Sequence, residues 1–361
     1  MQSSVTRIRQ DLAVDIDALT GLILNTQRAS GEIPWCDGQK TDPWDHVESA
    51  MGLTIGGQYD AARRAYTWMR QTQLDDGSWY ASYMDGKPED RTRDANLSTY
   101  IAVGLYHYYL VTGDIAFVAS LWPTVRDAMD FALALQMPEG PIRWAISPDG
   151  RVDAMALLTG SSSVYMSLKC ALKLADLLGH AQPHWTPALL SLQTALRQKR
   201  HLFNMTKSRF SMDWFYPILT GAVTGEEARK RIDTYWKKFV EEGQGVRCVY
   251  DEPWVTVAET CELVLALAAM GNDDLARIVF SWISTKRFDH DTYWCGFTFP
   301  NMVIWPEDKI TWTNAVVLMA IDALYHLTPA SQMFSQVHWP VSGRVRRALE
   351  SGSLGDLRAI H

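Results

Sequence analysis

Two kinds of helical pattern alternate along the chain. The first carries apolar residues on one face and Arg, Lys or Asp on the other, over about 11–26, 58–73, 115–136, 186–200, 225–240 and 273–285. A helix with a single apolar stripe lies on the outside of a core. The second kind is apolar nearly all round, as in "YIAVGLYHYYL", "CELVLALAAMG" and "AVVLMAIDAL". Such a helix is buried on every side. Six of these follow the outer helices, over 44–56, 96–112, 161–178, 211–222, 256–271 and 311–327. Their opening residues, Asp45, Asn96, Ser161, Ser211, Glu259 and Trp312, recur at intervals of 48 to 65 positions, which suits one helical hairpin per repeat. Six inner helices ringed by six outer ones predict an all-α fold, an (α/α)6 toroid whose inner helices open at one mouth. The toroid is expected to form a single domain over 1–329. Residues 330–361 are expected to be a C-terminal extension packed on the toroid or its surface, with a short helix at "SGRVRRALESGSL".

The turns support the repeat. "NTQRASGEIPW" (25–35), "RQTQLDDGSWY" (70–80) and "LALQMPEGPIRW" (133–144) share one order: helix end, Gln, polar residues, Gly, aromatic. Gly lets the chain leave a helix in a left-handed conformation. Trp35, Trp79 and Trp144 are expected to lie across the helix ends as packing residues.

Candidate chemistry gathers where the inner helices begin. "TDPWDHVESAMGL" supplies Trp44, Asp45, His46 and Glu48. Asp42, Pro43 and Asp45 satisfy the rules for a capped helix start, with Asp42 as N-cap and Pro43 at the first helical position. Capping does not account for Glu48, one turn from Asp45. His46 alone suits a hydrogen-bonded core position or a substrate contact. The second entrance offers Arg93, Asp94 and Asn96, the third Thr159 and Ser161, the fourth Arg209, Asp213, Trp214 and Tyr216. The fifth offers Glu252, Trp254, Glu259 and Glu262, and the sixth Trp305, Glu307 and Trp312. Acids near helix N-termini are favoured by the helix dipole, at roughly 0.3–1 kcal/mol each. Glu259 and Glu262 stand out because the rest of their helix is apolar. Two carboxyls one turn apart in a dry mouth disfavour double ionisation, so one can serve as a proton donor. Asp45, Glu48, Asp213, Glu259 and Glu262 are the catalytic candidates, and Trp44, His46, Arg93, Asp94, Ser161, Trp214, Tyr216, Glu252, Trp254, Trp305, Glu307 and Trp312 are the candidates for substrate contact.

Composition narrows the field. With 361 residues and 47% hydrophobic content, the chain can bury a large core. A formal charge of −7 makes a nucleic-acid or anionic-lipid partner unexpected. Cys36, Cys170, Cys248, Cys261 and Cys295 are dispersed and include no Cys-x-x-Cys, which fits reduced thiols in the cytoplasm and no zinc framework. No signal-peptide pattern opens the chain, and no apolar run is long enough to span a bilayer. No metal or cofactor is expected. His180, His184 and Asp289-His290-Asp291 read as solvated turn residues. Fifteen Trp call for an explanation in the fold or the site.

The Gln…Gly…Trp turns resemble those of the terpenoid-cyclase and protein-prenyltransferase toroids. Most of the chain, through "IPW…DPWDHVE", "LTGSSS", "KSRFSMDW" and "PWVTVAETCELVLAL", looks like a group of bacterial proteins that carry the name prenyltransferase. The resemblance implies the toroid and an isoprenoid substrate. No catalytic residue carries over: "DIDA" (15–18) lies on an outer helix, "LDDGSW" in a turn, and no Asp-x-Cys zinc motif matches. In architecture the chain also resembles six-hairpin glycosidases such as glucoamylase and the unsaturated glucuronyl hydrolases.

An aromatic cup with several carboxylates suits a sugar: pyranose faces stack on Trp, and acids bond hydroxyls. Glycoside hydrolysis needs an acid and a base flanking the scissile bond. A carbohydrate-active, glycoside-hydrolase-like enzyme is therefore expected, acting on a small molecule or an oligosaccharide. One alternative is a terpene-cyclase-like enzyme working on an isoprenoid without Asp-x-Asp-Asp or zinc. Another is a non-catalytic binding toroid, in which Arg93 or Arg209 would hold the acids.

Overall fold

The computed structural model describes residues 14–289 and 291–339. The helix expected at "SGRVRRALESGSL" and the turn residue His290 lie outside the described residues. Six helical hairpins follow in order. Their helices are α1 (Ile16–Thr26), α2 (Pro43–Ile55), α3 (Tyr59–Thr72), α4 (Ala95–Thr99, resuming past Tyr100 as Ile101–Thr112), α5 (Ile115–Ala134), α6 (Leu158–Leu178), α7 (Trp185–Gln198), α8 (Ser211–Leu219), α9 (Gly225–Phe239), α10 (Val257–Ala269), α11 (Asp273–Ser281) and α12 (Thr311–Tyr325). The even-numbered helices are the apolar ones, buried along almost their whole length. Each packs on the next, and α12 returns to α2, so the inner ring closes. The architecture is the (α/α)6 toroid. No described helix is long and apolar enough to cross a membrane.

Closure depends on a tight approach. A Cβ on Gly52 of α2 would stand 2.9 Å from the Ala315 Cβ of α12, so glycine is what lets these two backbones meet. At the same seam the Thr311 amide donates to Trp35 O at 2.8 Å, and its hydroxyl donates to Pro34 O at 2.8 Å.

The repeated Gln–Gly pair has a shared geometric role. Gln27 Nε2 donates to Gly31 O and Ala61 O, Gln73 Nε2 to Gly77 O and Thr124 O, and Gln136 Nε2 to Gly140 O and Ala188 O. Each amide thus clamps its own turn to the following outer helix. Gly31, Gly77 and Gly140 have φ of +96°, +87° and +113°. A Cβ on any of them would strike a backbone carbonyl of that outer helix at 2.2–2.4 Å. Of the Trp residues ending these turns, Trp79 packs as expected, fully buried with Nε1 donating to Met69 O. Trp35 and Trp144 differ, since both turn toward the mouth, as described below.

Short strands decorate the toroid, a departure from a purely helical chain. β1 (Ser82–Met84) pairs with β2 (Lys87–Asp90), and β3 (Arg93–Asp94) with β4 (Ala145–Ile146). An antiparallel sheet joins β5 (Val240–Glu241), β6 (Gly245–Arg247), β7 (Trp254–Thr256), β8 (Gly296–Thr298) and β9 (Val303–Ile304). Strands of two to four residues are too short for an alternating pattern to register in a sequence. They nevertheless place the site: β3 runs into α4 and β7 into α10. The sheet is pinned to α10 where the Val246 amide donates to Thr260 Oγ1 at 2.9 Å.

After α12 the chain crosses the opposite side of the ring. Met333 is fully buried, and Trp339 Nε1 donates to its carbonyl. The Trp339 ring lies 4.3 Å from Lys169 Nζ, and Lys169 donates to Thr220 O, just past the C-terminal end of α8.

Candidate functional site

The start of α2 is built as its sequence indicates. Asp42 Oδ1 accepts the Asp45 amide at 2.9 Å, with Pro43 at the first helical position. The other oxygen of Asp42 accepts Trp35 Nε1 at 2.7 Å, which is why Trp35 leaves its helix end for the mouth. Asp45, half-buried beside it, has its carboxyl raised well above the usual range, first by burial and then by the Asp42 charge. One turn further in, Glu48 is buried. Its Oε1 accepts Trp44 Nε1 at 2.7 Å and Tyr100 OH at 3.2 Å. Burial pushes Glu48 up to about 8 in spite of these two donors.

Across the ring, Glu259 and Glu262 occupy the first two turns of α10, both buried. Glu262 is raised well above its ordinary value by burial, then by the charges of Glu48 and Glu259. The acids of α2 and α10 therefore feel one another. Among the described residues, Glu259 Oε2 is buried with no hydrogen-bond partner. Among the described residues, no salt bridge reaches Asp45, Glu48, Glu259 or Glu262. The arginines that could have clamped them are engaged elsewhere: Arg93 with Asp76, Arg209 with Asp251 and Glu252, and Arg247 with Glu241.

Trp44 joins this cluster to an aromatic wall. Its ring centroid stands 5.0 Å from that of Tyr100 and 5.5 Å from that of Tyr216. With Asp94, Asn96, Trp144, Thr159 and Ser161, it lines a cleft of about 170 Å³. Asp94 caps α4 by accepting the amides of Asn96 and Leu97, and burial raises it to about 6. Asp213 Oδ1 accepts the Thr159 amide at 3.2 Å and its hydroxyl at 2.7 Å, and burial raises this carboxyl also. Trp214 faces away from this cleft into a second one.

Several expected contacts do not belong here. His46 is a core residue: its Nδ1 accepts the Ile33 amide, its Nε2 meets Ala65 O, and burial lowers it to about 4. Arg93 is held in its ion pair with Asp76. Glu252 and Glu307 are exposed, and Trp305 is 62% exposed at the rim, where its carbonyl accepts Trp254 Nε1. Trp312, by contrast, stays at the mouth, packing edge-on against Trp35 with 6.3 Å between centroids. Tyr100 is the residue sequence reasoning missed. It is hidden in an apolar string, one turn below Asn96, and spacing from that entrance is the signal that could have found it.

No family model matches the chain. The chain is similar to a protein of Mycolicibacterium hassiacum, MMP endo-(1,4)-3-O-methyl-alpha-D-mannosidase, at 46% identity over 318 residues and 88% of each chain. Among solved structures it is similar to the GH63 mannosylglycerate hydrolase from Thermus thermophilus in complex with glucose. That match has a TM-score of 0.67 and 10% identity, and covers 84% of this chain and 99% of the other. A wild-type glycosidase gives 0.65 and 14%, covering 91% and 100%. A D-mannose isomerase gives 0.66 and 11%, covering 86% and 95%. At such identities the structures speak for the fold alone. The glycosidase side of the expected resemblance stands; the prenyltransferase side finds no support in these similarities.

Proposed function

The chain belongs to the family of the M. hassiacum MMP endo-(1,4)-3-O-methyl-alpha-D-mannosidase, a carbohydrate-active, glycosidase-like protein, and from that premise we propose that it hydrolyses internal α-(1,4) bonds of a 3-O-methylmannose chain. The observation that carries the reading is the set of four carboxyls on α2 and α10, free of salt bridges among the described residues and bordered by Trp44. A glycosidic bond breaks when one carboxyl protonates the leaving oxygen while another acts from the far side of the sugar ring.

The Glu259/Glu262 pair supplies the proton. Glu259 is the member that delivers it: it stands one turn nearer the mouth, and its Oε2 makes no competing bond. Asp45, half-buried on α2 with α12 between it and α10, acts as the opposing base. Its raised carboxyl makes it a stronger base once ionised. Glu48 has one oxygen bonded by Trp44 and Tyr100, which fixes the Trp44 ring as a platform for a pyranose face.

The test uses a 1,4-linked 3-O-methyl-α-mannose oligosaccharide, with product lengths read by mass spectrometry. Shorter oligosaccharides from interior cuts are expected. D45N and E259Q should each lose roughly 10²–10⁴-fold in turnover while keeping the melting temperature. Cleavage confined to unmethylated or non-mannose chains would overturn the substrate. Full activity in both variants would overturn the site.

A further inference from the structure

A second cleft, of about 200 Å³, opens beside the mouth with a different chemistry, lined among others by Arg200, Asp213, Trp214, Arg231, Tyr235 and Lys238. Three cations meet one carboxylate there, and Asp213 already accepts two bonds from Thr159. Arg231 uses Nε on Trp214 O at 2.7 Å and Nη2 on Asp213 O at 2.6 Å. Among the described residues, Arg200 reaches only Tyr235 OH, at 3.5 Å, and its Nε is buried without a partner. Lys238 donates to Ser208 O at 3.3 Å and lies 4.1 Å from the Tyr250 ring centroid. Among the described residues, none of the three cations has a salt bridge.

The cations act on one another and on their neighbours. Arg231 is lowered to about 10 by burial and then by the Arg200 charge. The Tyr235 phenol is drawn below its usual value by its bond from Arg200 and by all three cations. Guanidiniums gathered with unused donors present the forked geometry that carboxylates and phosphates match. At about 30 Å³ per liquid water, the cleft holds roughly six waters' worth of ligand.

We propose that this cleft is a binding site for an oxyanion, a carboxylate or phosphate group, held chiefly by Arg200 and Lys238 with Arg231 behind them. The cleft adjoins the sugar site, because Asp213 lines it while its partner Thr159 lines the Trp44 cleft. The anion site itself does not rest on the function proposed above.

The experiment is a titration of the full-length protein with inorganic phosphate, by calorimetry and Trp fluorescence, against chloride at matched ionic strength. Saturable binding of one phosphate is expected. R200Q and K238Q should each weaken it at least tenfold while the phosphate-free melting temperature stays put. Arg231 is left intact because it braces the start of α8. A further arm separates the sources. If phosphate competes with a neutral oligosaccharide substrate, the cleft lies on the substrate path; if it binds without raising KM, the ligand is a free anion. Either result supports the site. Phosphate binding no tighter than chloride, or equal binding by both variants, overturns it. Absence of hydrolytic activity would touch only the function proposed above, since the binding arm needs no turnover.

Discussion

Glu48 has two hydrogen-bond donors on one oxygen and is still too deeply buried to ionise readily. Its folded value of about 8, against an ordinary 4.5, means that the folded chain holds this proton longer than the unfolded chain. The associated stability is complete below the unfolded value and is lost as pH rises through the folded one. Urea midpoints are therefore expected to fall between about pH 5 and 9. E48Q, which keeps an oxygen for Trp44 and Tyr100, should flatten that fall; identical profiles would refute the assignment. Asp45, the proposed base, is raised as well, so the acid limb of the activity profile should lie above the normal carboxylate range, as a pH series of kcat/KM would record. These acids were legible in the sequence because charge inside an apolar helix has few structural explanations. Tyr100 was not, because its hydroxyl is invisible among apolar neighbours. Nor could the sequence separate His46 from the mouth: one helical position decides whether a side chain faces the cavity or the core.

The three Gln clamps show what a hairpin needs from its turn. Q73A removes bonds to Gly77 O and Thr124 O and should cost about 1–3 kcal/mol in urea unfolding. G77A should cost more, about 3 kcal/mol or above. It forces a side chain onto φ +87° and sets a Cβ 2.2 Å from Asp127 O. If G77A proved the milder of the two, the clamp geometry would be wrong. The grammar of these turns was readable because identical contacts demand identical residues. The later hairpins escape it. Their entrances are fixed by β5 to β9, whose pairing is non-local and whose strands are too short to leave a periodic trace.

Ring closure is the property that makes this one molecule. α12 completes the surroundings of both α2 and α10, the two helices that carry the acids. A chain ending at Lys309 should therefore fail to fold cooperatively. Near-ultraviolet circular dichroism and the sharpness of the urea transition are the readouts, and a steep transition in the truncated chain would contradict the ring. The number of hairpins and the order of inner and outer helices followed from periodicity alone. The path of residues 328–339 did not, since it depends on what the finished barrel leaves uncovered. That path bears on how a polymer is handled. With Met333 buried and Trp339 set over Lys169 at the end of α8, a sugar chain cannot be drawn through the ring like thread through a needle. At the site proposed above, such a chain would meet the carboxylates by lying across the mouth, and both fragments would depart on that side. Cutting should therefore be distributive rather than processive: early products span a broad range of lengths, and each encounter ends in release.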